Sequence, residues 1–193
     1  CSGNSIYGIE IWVCNDTNYI ESNTCNSSRY WGVMLDGSNN QEIIRNSCLN
    51  NECGIALTWG SRSNLIAENI CMNNDSGIWL GSSYASNNVI CLNNFINNNQ
   101  NGNSTASSTN TWDTTSATRY VYGNQTFTNK MGNYWSDYFG NDTNGDGIGE
   151  IPYRISSDED RYPLMSPIEN YLIFNYSPIR PNNDSPPDGT TGV

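Results

Sequence analysis

The sequence predicts an all-β protein, a right-handed parallel β-helix built from coils of about 23 residues. Three observations predict it. Three separate motifs repeat with one shared period, apolar residues alternate after a repeated glycine, and the chain is too polar for one thick core. Only 36% of the 193 residues are hydrophobic and the mean hydropathy is −0.61, so a thin, laddered core is needed instead.

The repeats are Gly8-Ile9-Glu10-Ile11, Gly32-Val33-Met34-Leu35, Gly54-Ile55-Ala56-Leu57 and Gly77-Ile78-Trp79-Leu80. Alternation of period 2 places the first and third residues after each glycine inward on a strand. A second column is Asn23, Asn46, Asn69 and Asn93, and a third is Ile20, Ile43, Ile66 and Ile90. In a coil whose rungs are about 4.8 Å apart, equivalent residues stack directly, and the asparagines form a ladder. The leucine-rich L-x-x-L-x-L pattern is absent, and propeller blades need a longer repeat.

Cys1, Cys25, Cys48 and Cys71 share one further column. Rung spacing admits inter-rung disulfides there, or at Cys1 a bond to another chain. It equally admits an inward ladder of free thiols behaving as small hydrophobes, which the replacement by Phe95 at the column's end favours. Cys14, Cys53 and Cys91 fall in other columns. Seven cysteines without a CxxC pair or any His point to an oxidising exterior. N-x-S/T sequons begin at Asn15, Asn26, Asn74, Asn103, Asn124, Asn141, Asn175 and Asn183, which are glycosylation candidates. No apolar run is long enough to span a membrane.

The coils occupy residues 1–98. Residues 99–167 read as a degenerate coil, a short strand at Tyr120-Val121-Tyr122, an aromatic cluster and an acidic loop. The cluster Gly132-Asn133-Tyr134-Trp135-Ser136-Asp137-Tyr138 is expected to cover the open end of the solenoid. Asp142-Thr143-Asn144-Gly145-Asp146-Gly147-Ile148-Gly149-Glu150 has the alternating oxygen donors of a Ca²⁺ loop. Its structural Ca²⁺ would take Asp142, Asn144, Asp146 and the Ile148 carbonyl, with Glu150 or an acid near Asp160 closing the shell; a solvated acidic turn is the plainer alternative. Residues 168–193, rich in Pro, Asn and Ser, read as a linker to a further domain. The chain opens at Cys1 inside a repeat, as a piece of a longer precursor would.

A net charge of −11 excludes a nucleic-acid partner, whose phosphates require a basic face. It suits divalent cations and a soluble surface in salt. The outward column after each Gly-Ile is Glu10, Met34, Ala56 and Trp79, with one acid and no carboxylate pair. Arg29, Arg45 and Arg62 share no column, and no nucleophile, base and orienting group coincide. Enzymatic function is therefore not expected. The alternative is a carbohydrate-binding or polysaccharide-degrading β-helix, for which Trp79 and Trp12 are candidate stacking platforms.

The coils resemble the NosD-like repeats, also called the CASH type. Gly132 to Ile155, GNYWSDYFGNDTNGDGIGEIPYRI, followed by DRYPLM (Asp160 to Met165), is similar to the signature that ends such domains in surface proteins of methanogenic archaea. The resemblance covers roughly residues 1–167. It implies a secreted envelope protein, in a sheath, S-layer or surface filament, whose partners are copies of itself or other envelope proteins, with glycans as further ligands. The copper handling suggested by the NosD name does not transfer: there is no His and there are only four Met. The tail Ser185 to Val193 is similar to the start of immunoglobulin-like or fibronectin-like modules.

Overall fold

The computed structural model describes residues 1–105 and 109–174. Three strands make each coil. The first coil holds β1 (Tyr7–Trp12), β2 (Tyr19–Glu21) and β3 (Thr24–Asn26). The second holds β4 (Trp31–Asp36), β5 (Glu42–Ile44) and β6 (Ser47–Leu49). The third holds β7 (Cys53–Thr58), β8 (Leu65–Ala67) and β9 (Ile70–Met72), and the fourth β10 (Ser76–Leu80), β11 (Val89–Cys91) and β12 (Asn94–Ile96). A fifth coil opens with β13 (Gln100–Ser104). The strands stack as three parallel sheets: β1-β4-β7-β10-β13, β2-β5-β8-β11 and β3-β6-β9-β12.

The register is the one the repeats predict. Ile20 pairs with Ile43, Ile43 with Ile66 and Ile66 with Ile90. Val33, Ile55 and Ile78, and Leu35, Leu57 and Leu80, form two further inward columns that are wholly buried. Each such side chain contributes about 1.5–3 kcal/mol of burial.

Corners follow one rule. A residue in the left-handed region is followed by an inward-pointing polar side chain. Ser22, Arg45, Glu68 and Leu92 have φ between 55° and 59° and precede Asn23, Asn46, Asn69 and Asn93. The Asn46 Oδ1 accepts from the Asn23 N–H and Nδ2, and the Asn69 Oδ1 from those of Asn46. Asn46 Nδ2 and Asn69 Nδ2 also donate to the carbonyls of Ile20 and Ile43, one coil back. The second and third corners carry ladders of their own. One runs Ser28, Asn51, Asn74, Asn98; the other runs Asn18, Gln41, Asn64, Asn88, Asn110. Sequence periodicity had pointed to one ladder; there are three, and they satisfy the buried backbone polar groups that a thin core leaves at each bend.

The glycines after each corner are steric necessities. A Cβ on Gly32 would lie 2.7 Å from the Gly54 carbonyl oxygen and 2.9 Å from Cys48 Cβ; on Gly54 it would meet the Gly77 oxygen at 2.6 Å and Cys71 Sγ at 2.8 Å. The Gly and Cys columns are thus two halves of one packing solution.

The fifth coil is more regular than the sequence suggested. Thr111 bridges to Val89, and β16 (Tyr134–Trp135) pairs in parallel with β12, matching Trp135 to Phe95. An insertion separates these pieces. It holds the antiparallel hairpin β14 (Thr118–Tyr122) and β15 (Gln125–Asn129), turned by Gly123 and Asn124, both at positive φ. The end is closed by a second hairpin, β17 (Tyr153–Ile155) with β18 (Asp158–Asp160). Trp135 stacks on Phe95 at 4.5 Å and on Tyr153 at 4.3 Å, so the aromatic cluster does seal the column.

The cap also wraps sideways. Tyr120, Met131, Ile148, Leu164 and Tyr171 form a second core against Ile44, Leu65 and Val89 on the outer face of the β2-β5-β8-β11 sheet. Within the stretch read as linker, Ile168–Asn170 is a 3₁₀ turn and β19 (Leu172–Phe174) pairs with β14. Glu169 accepts from Asn94 Nδ2, anchoring this turn to the fourth coil.

Candidate functional site

The acidic loop lies against the lateral cap. Asp142 Oδ1 accepts from the Gly145 and Asp146 N–H groups and Oδ2 from Gly147. Asn144 Oδ1 accepts from the Asp146 N–H, and Asp146 Oδ1 from that of Ile148. Glu150 accepts from the Thr143 N–H and hydroxyl. Tyr120 and Tyr171 donate to the Asp146 and Gly147 carbonyls at 2.9 and 2.6 Å. The loop is therefore a self-capped turn that doubles as a docking point. Among the described residues, no three His, Cys, Asp or Glu side chains form a group able to hold a metal.

Asp160, read from the sequence as a further ligand, is engaged away from the acidic loop. It is fully buried, and its Oδ2 accepts from the Asn133 N–H at 2.7 Å, from Asn133 Nδ2 at 3.2 Å and from Trp135 Nε1 at 2.9 Å. Its Oδ1 accepts from the Tyr162 N–H. Asn133 in turn receives the N–H and Nδ2 of Asn93. Asp160 thus ends the Asn23–Asn46–Asn69–Asn93–Asn133 ladder as an acceptor that needs no donor beyond it. Burial pushes its carboxyl up to about 7, against the opposing hydrogen bonds from Trp135, Asn133 and Tyr162.

All seven cysteines are free thiols. Cys25, Cys48 and Cys71 stack in register and are fully buried, so the inward thiol ladder is the arrangement found rather than inter-rung disulfides. Cys1 is exposed at the column's end. The Cys48 hydrogen-bonding neighbour and then burial hold the Cys25 thiol far above its ordinary range, and burial pushes Cys53 up to about 12. Such thiols are inert as nucleophiles and poor as metal ligands.

The sequons divide by burial. Asn15, Asn124 and Asn141 are exposed, and Asn26 and Asn103 half-buried. Asn74 is removed as a glycan acceptor: it is buried in the second ladder, with Nδ2 donating to the Cys48 carbonyl and to Asn98. Asn175 and Asn183 lie outside the described residues.

The outer face of the β1-β4-β7-β10-β13 sheet is aromatic. Tyr7 and Trp31 stack at 5.0 Å and 3°, and Trp31 lies 6.2 Å from Trp79. Ala56, the small residue between Met34 and Trp79 in the outward column, is covered. Trp12 is 74% exposed and Trp59 82% exposed. Trp79 and Trp12 were read from the sequence as stacking candidates; Trp59 and Tyr84, which sit in the loops after the strands where no column repeats, were not. Glu10 and Asp36 stand in different columns, paired with Met34 and Trp12 respectively.

A family model described as "Periplasmic copper-binding protein (NosD)" matches residues 1–140. A curated relative, the "Probable ABC transporter binding protein NosD" of Stutzerimonas stutzeri, is 45% identical over 42 residues, which is 22% of this chain and 10% of that protein. Copper does not fit the donors present. The chain has no His, its stacked thiols are buried, and Met131 packs inside the lateral core, away from Met34 on the aromatic face. The family match spans more than half of the chain and the parallel coils agree with it: the chain belongs to the NosD family of β-helix proteins.

Proposed function

We propose that this chain is a non-catalytic structural module of a cell-envelope assembly, such as a sheath, S-layer or surface filament, working outside the cytoplasm. The observation that carries it is the run of three polar ladders through the coils, one of which is closed at its end by Asp160. Such a rod is stiff along its axis because every coil is bonded to the next through backbone and side chain together. Its acid surface suits a hydrated, salty exterior, and the exposed sequons Asn15, Asn124 and Asn141 are the glycan acceptors in this reading. The partners in this reading are copies of the chain or other envelope proteins.

Sedimentation and electron microscopy over a wide concentration range test it. Ordered, concentration-dependent polymers are expected. A protein that remains monomeric at every concentration, with and without Ca²⁺, removes the assembly role. The acidic loop enters as a secondary stabiliser, with Ca²⁺ held by Asp142, Asn144, Asp146 and the Ile148 carbonyl. Added Ca²⁺ would then raise the melting temperature by linkage, and an unchanged melt in Ca²⁺ and in chelator would leave the scaffold without its metal.

A further inference from the structure

The dipeptide Asn-Gly occurs twice in the chain, at Asn101-Gly102 and at Asn144-Gly145. Such a pair can react with itself, because no Cβ on the glycine shields its backbone nitrogen from the asparagine side chain. The fold treats the two copies in opposite ways. Asn101 is buried in β13, where Gly102 pairs with Ile78 and a Cβ on Gly102 would meet the Trp135 ring at 2.9 Å. The Asn101 amide is held at both atoms: Oδ1 accepts from Asn98 Nδ2 at 2.9 Å, and Nδ2 donates to Asp137 Oδ1 at 2.6 Å. Asn144 and Gly145 are exposed in the acidic loop, and a Cβ on Gly145 would meet nothing within 4 Å. Asn144 Oδ1 accepts from the Asp146 N–H at 2.9 Å, which folds the side-chain amide back over the Gly145 nitrogen that lies between them. The Gly145 N–H donates to Asp142 Oδ1 at 2.8 Å, so its proton already has an acceptor.

We propose that Asn144 is a self-modification site, at which the chain converts its own side-chain amide to a carboxylate with water as the co-reactant. The Gly145 nitrogen attacks Asn144 Cγ and closes a cyclic imide. The N–H proton passes by way of Asp142 to Nδ2, the Cγ–Nδ2 bond breaks, and ammonia leaves. The Asp146 N–H stabilises the oxyanion that develops on Oδ1. Water then opens the imide at either carbonyl. Opening at Cγ leaves an aspartyl residue; opening at the main-chain carbonyl leaves an isoaspartyl residue. Either product adds one negative charge to the loop. The isoaspartyl product also lengthens the main chain by one carbon, between Asp142 and the Asp146 and Gly147 carbonyls that take the hydroxyls of Tyr120 and Tyr171. The loop is thus a one-way clock on the lateral cap, and it runs whether or not the chain assembles or binds Ca²⁺.

Peptide mapping by mass spectrometry follows both pairs during incubation of the folded chain at neutral pH in chelator, beside a sample held unfolded in denaturant. In the folded chain Asn144 should gain one mass unit at least about tenfold faster than Asn101, because local opening is far easier in an exposed loop than in a laddered strand. In denaturant both should convert. The aged native chain should melt below the fresh one, and an aged Asn144→Ser chain should melt as it did when fresh. An Asn144 still unconverted in the folded chain, after both pairs have reacted in denaturant, overturns the proposal. So does conversion of Asn101 at an equal rate in the folded chain. A converted chain that melts unchanged, or an equal fall in the aged Asn144→Ser chain, overturns the clock.

Discussion

Asp160 shows how much one residue can settle in a laddered fold. Each asparagine passes its N–H and Nδ2 to the next coil's Oδ1, so the last needs an acceptor, and the Asp160 carboxyl supplies it. Burial is the larger influence and holds the carboxyl near 7, above its ordinary 3.8. The folded chain therefore keeps a proton that the unfolded chain has lost between about pH 4 and 7. That contribution to stability is complete below about pH 4 and is lost as pH rises through 7. Asp160→Asn should flatten this part of the pH–melting profile. It should also cost about 1–3 kcal/mol, because an amide nitrogen would face one of the present donors. A profile identical to that of the native chain would refute the assignment. In mid-ladder, Asn69→Ala should lose about 3 kcal/mol, since it strands the Asn46 donors and the Ile43 carbonyl inside the core; chemical denaturation measures it. The Asn23 to Asn93 column was legible because its spacing is nearly constant. Asp160 was not, because Asn133 follows Asn93 by 40 residues, and the acid's chemistry alone suggested a metal.

At the level of elements, sequence pattern and structure agree wherever the two-residue alternation is strict. The long strands contain each Gly-Ile or Gly-Val pair, and the inward columns are those the alternation assigns. The reason for the glycine was not legible: it is the thiol beside it and the next coil's carbonyl. Gly32→Ala and Gly54→Ala should each lower the melting temperature by several degrees, because backbone oxygen cannot yield as a side chain would; an unchanged melt for both would show that the coils have slack. The thiol ladder has its own signature. Without reductant, a thiol reagent should label at most Cys1 and Cys14 in the folded chain and all seven cysteines once it is unfolded. Fewer than seven in the unfolded chain would mean that disulfides are present. The β14–β15 hairpin was half-visible: Tyr120 to Tyr122 read as a strand, but its inward neighbours come from the far end of the chain.

For the whole molecule, the solenoid was readable and its cap was readable only as composition. Trp135 and Tyr153 close the end as the aromatic cluster suggested. The lateral wrap was hidden, because Tyr120, Ile148, Leu164 and Tyr171 meet through tertiary contacts that no period announces. The acidic loop shows the same limit. Its spacing is that of a cation loop, yet its oxygens close on backbone amides and its carbonyls take hydroxyls from the cap.

Everything rests on coils that stack residue over residue. Isoleucine-methyl labelling with nuclear Overhauser spectroscopy measures that directly. Cross-peaks should link Ile20 to Ile43, Ile43 to Ile66 and Ile66 to Ile90 in unbroken succession, with none directly from Ile20 to Ile90. A missing Ile43–Ile66 peak, or links that skip a coil, would contradict the stacked helix.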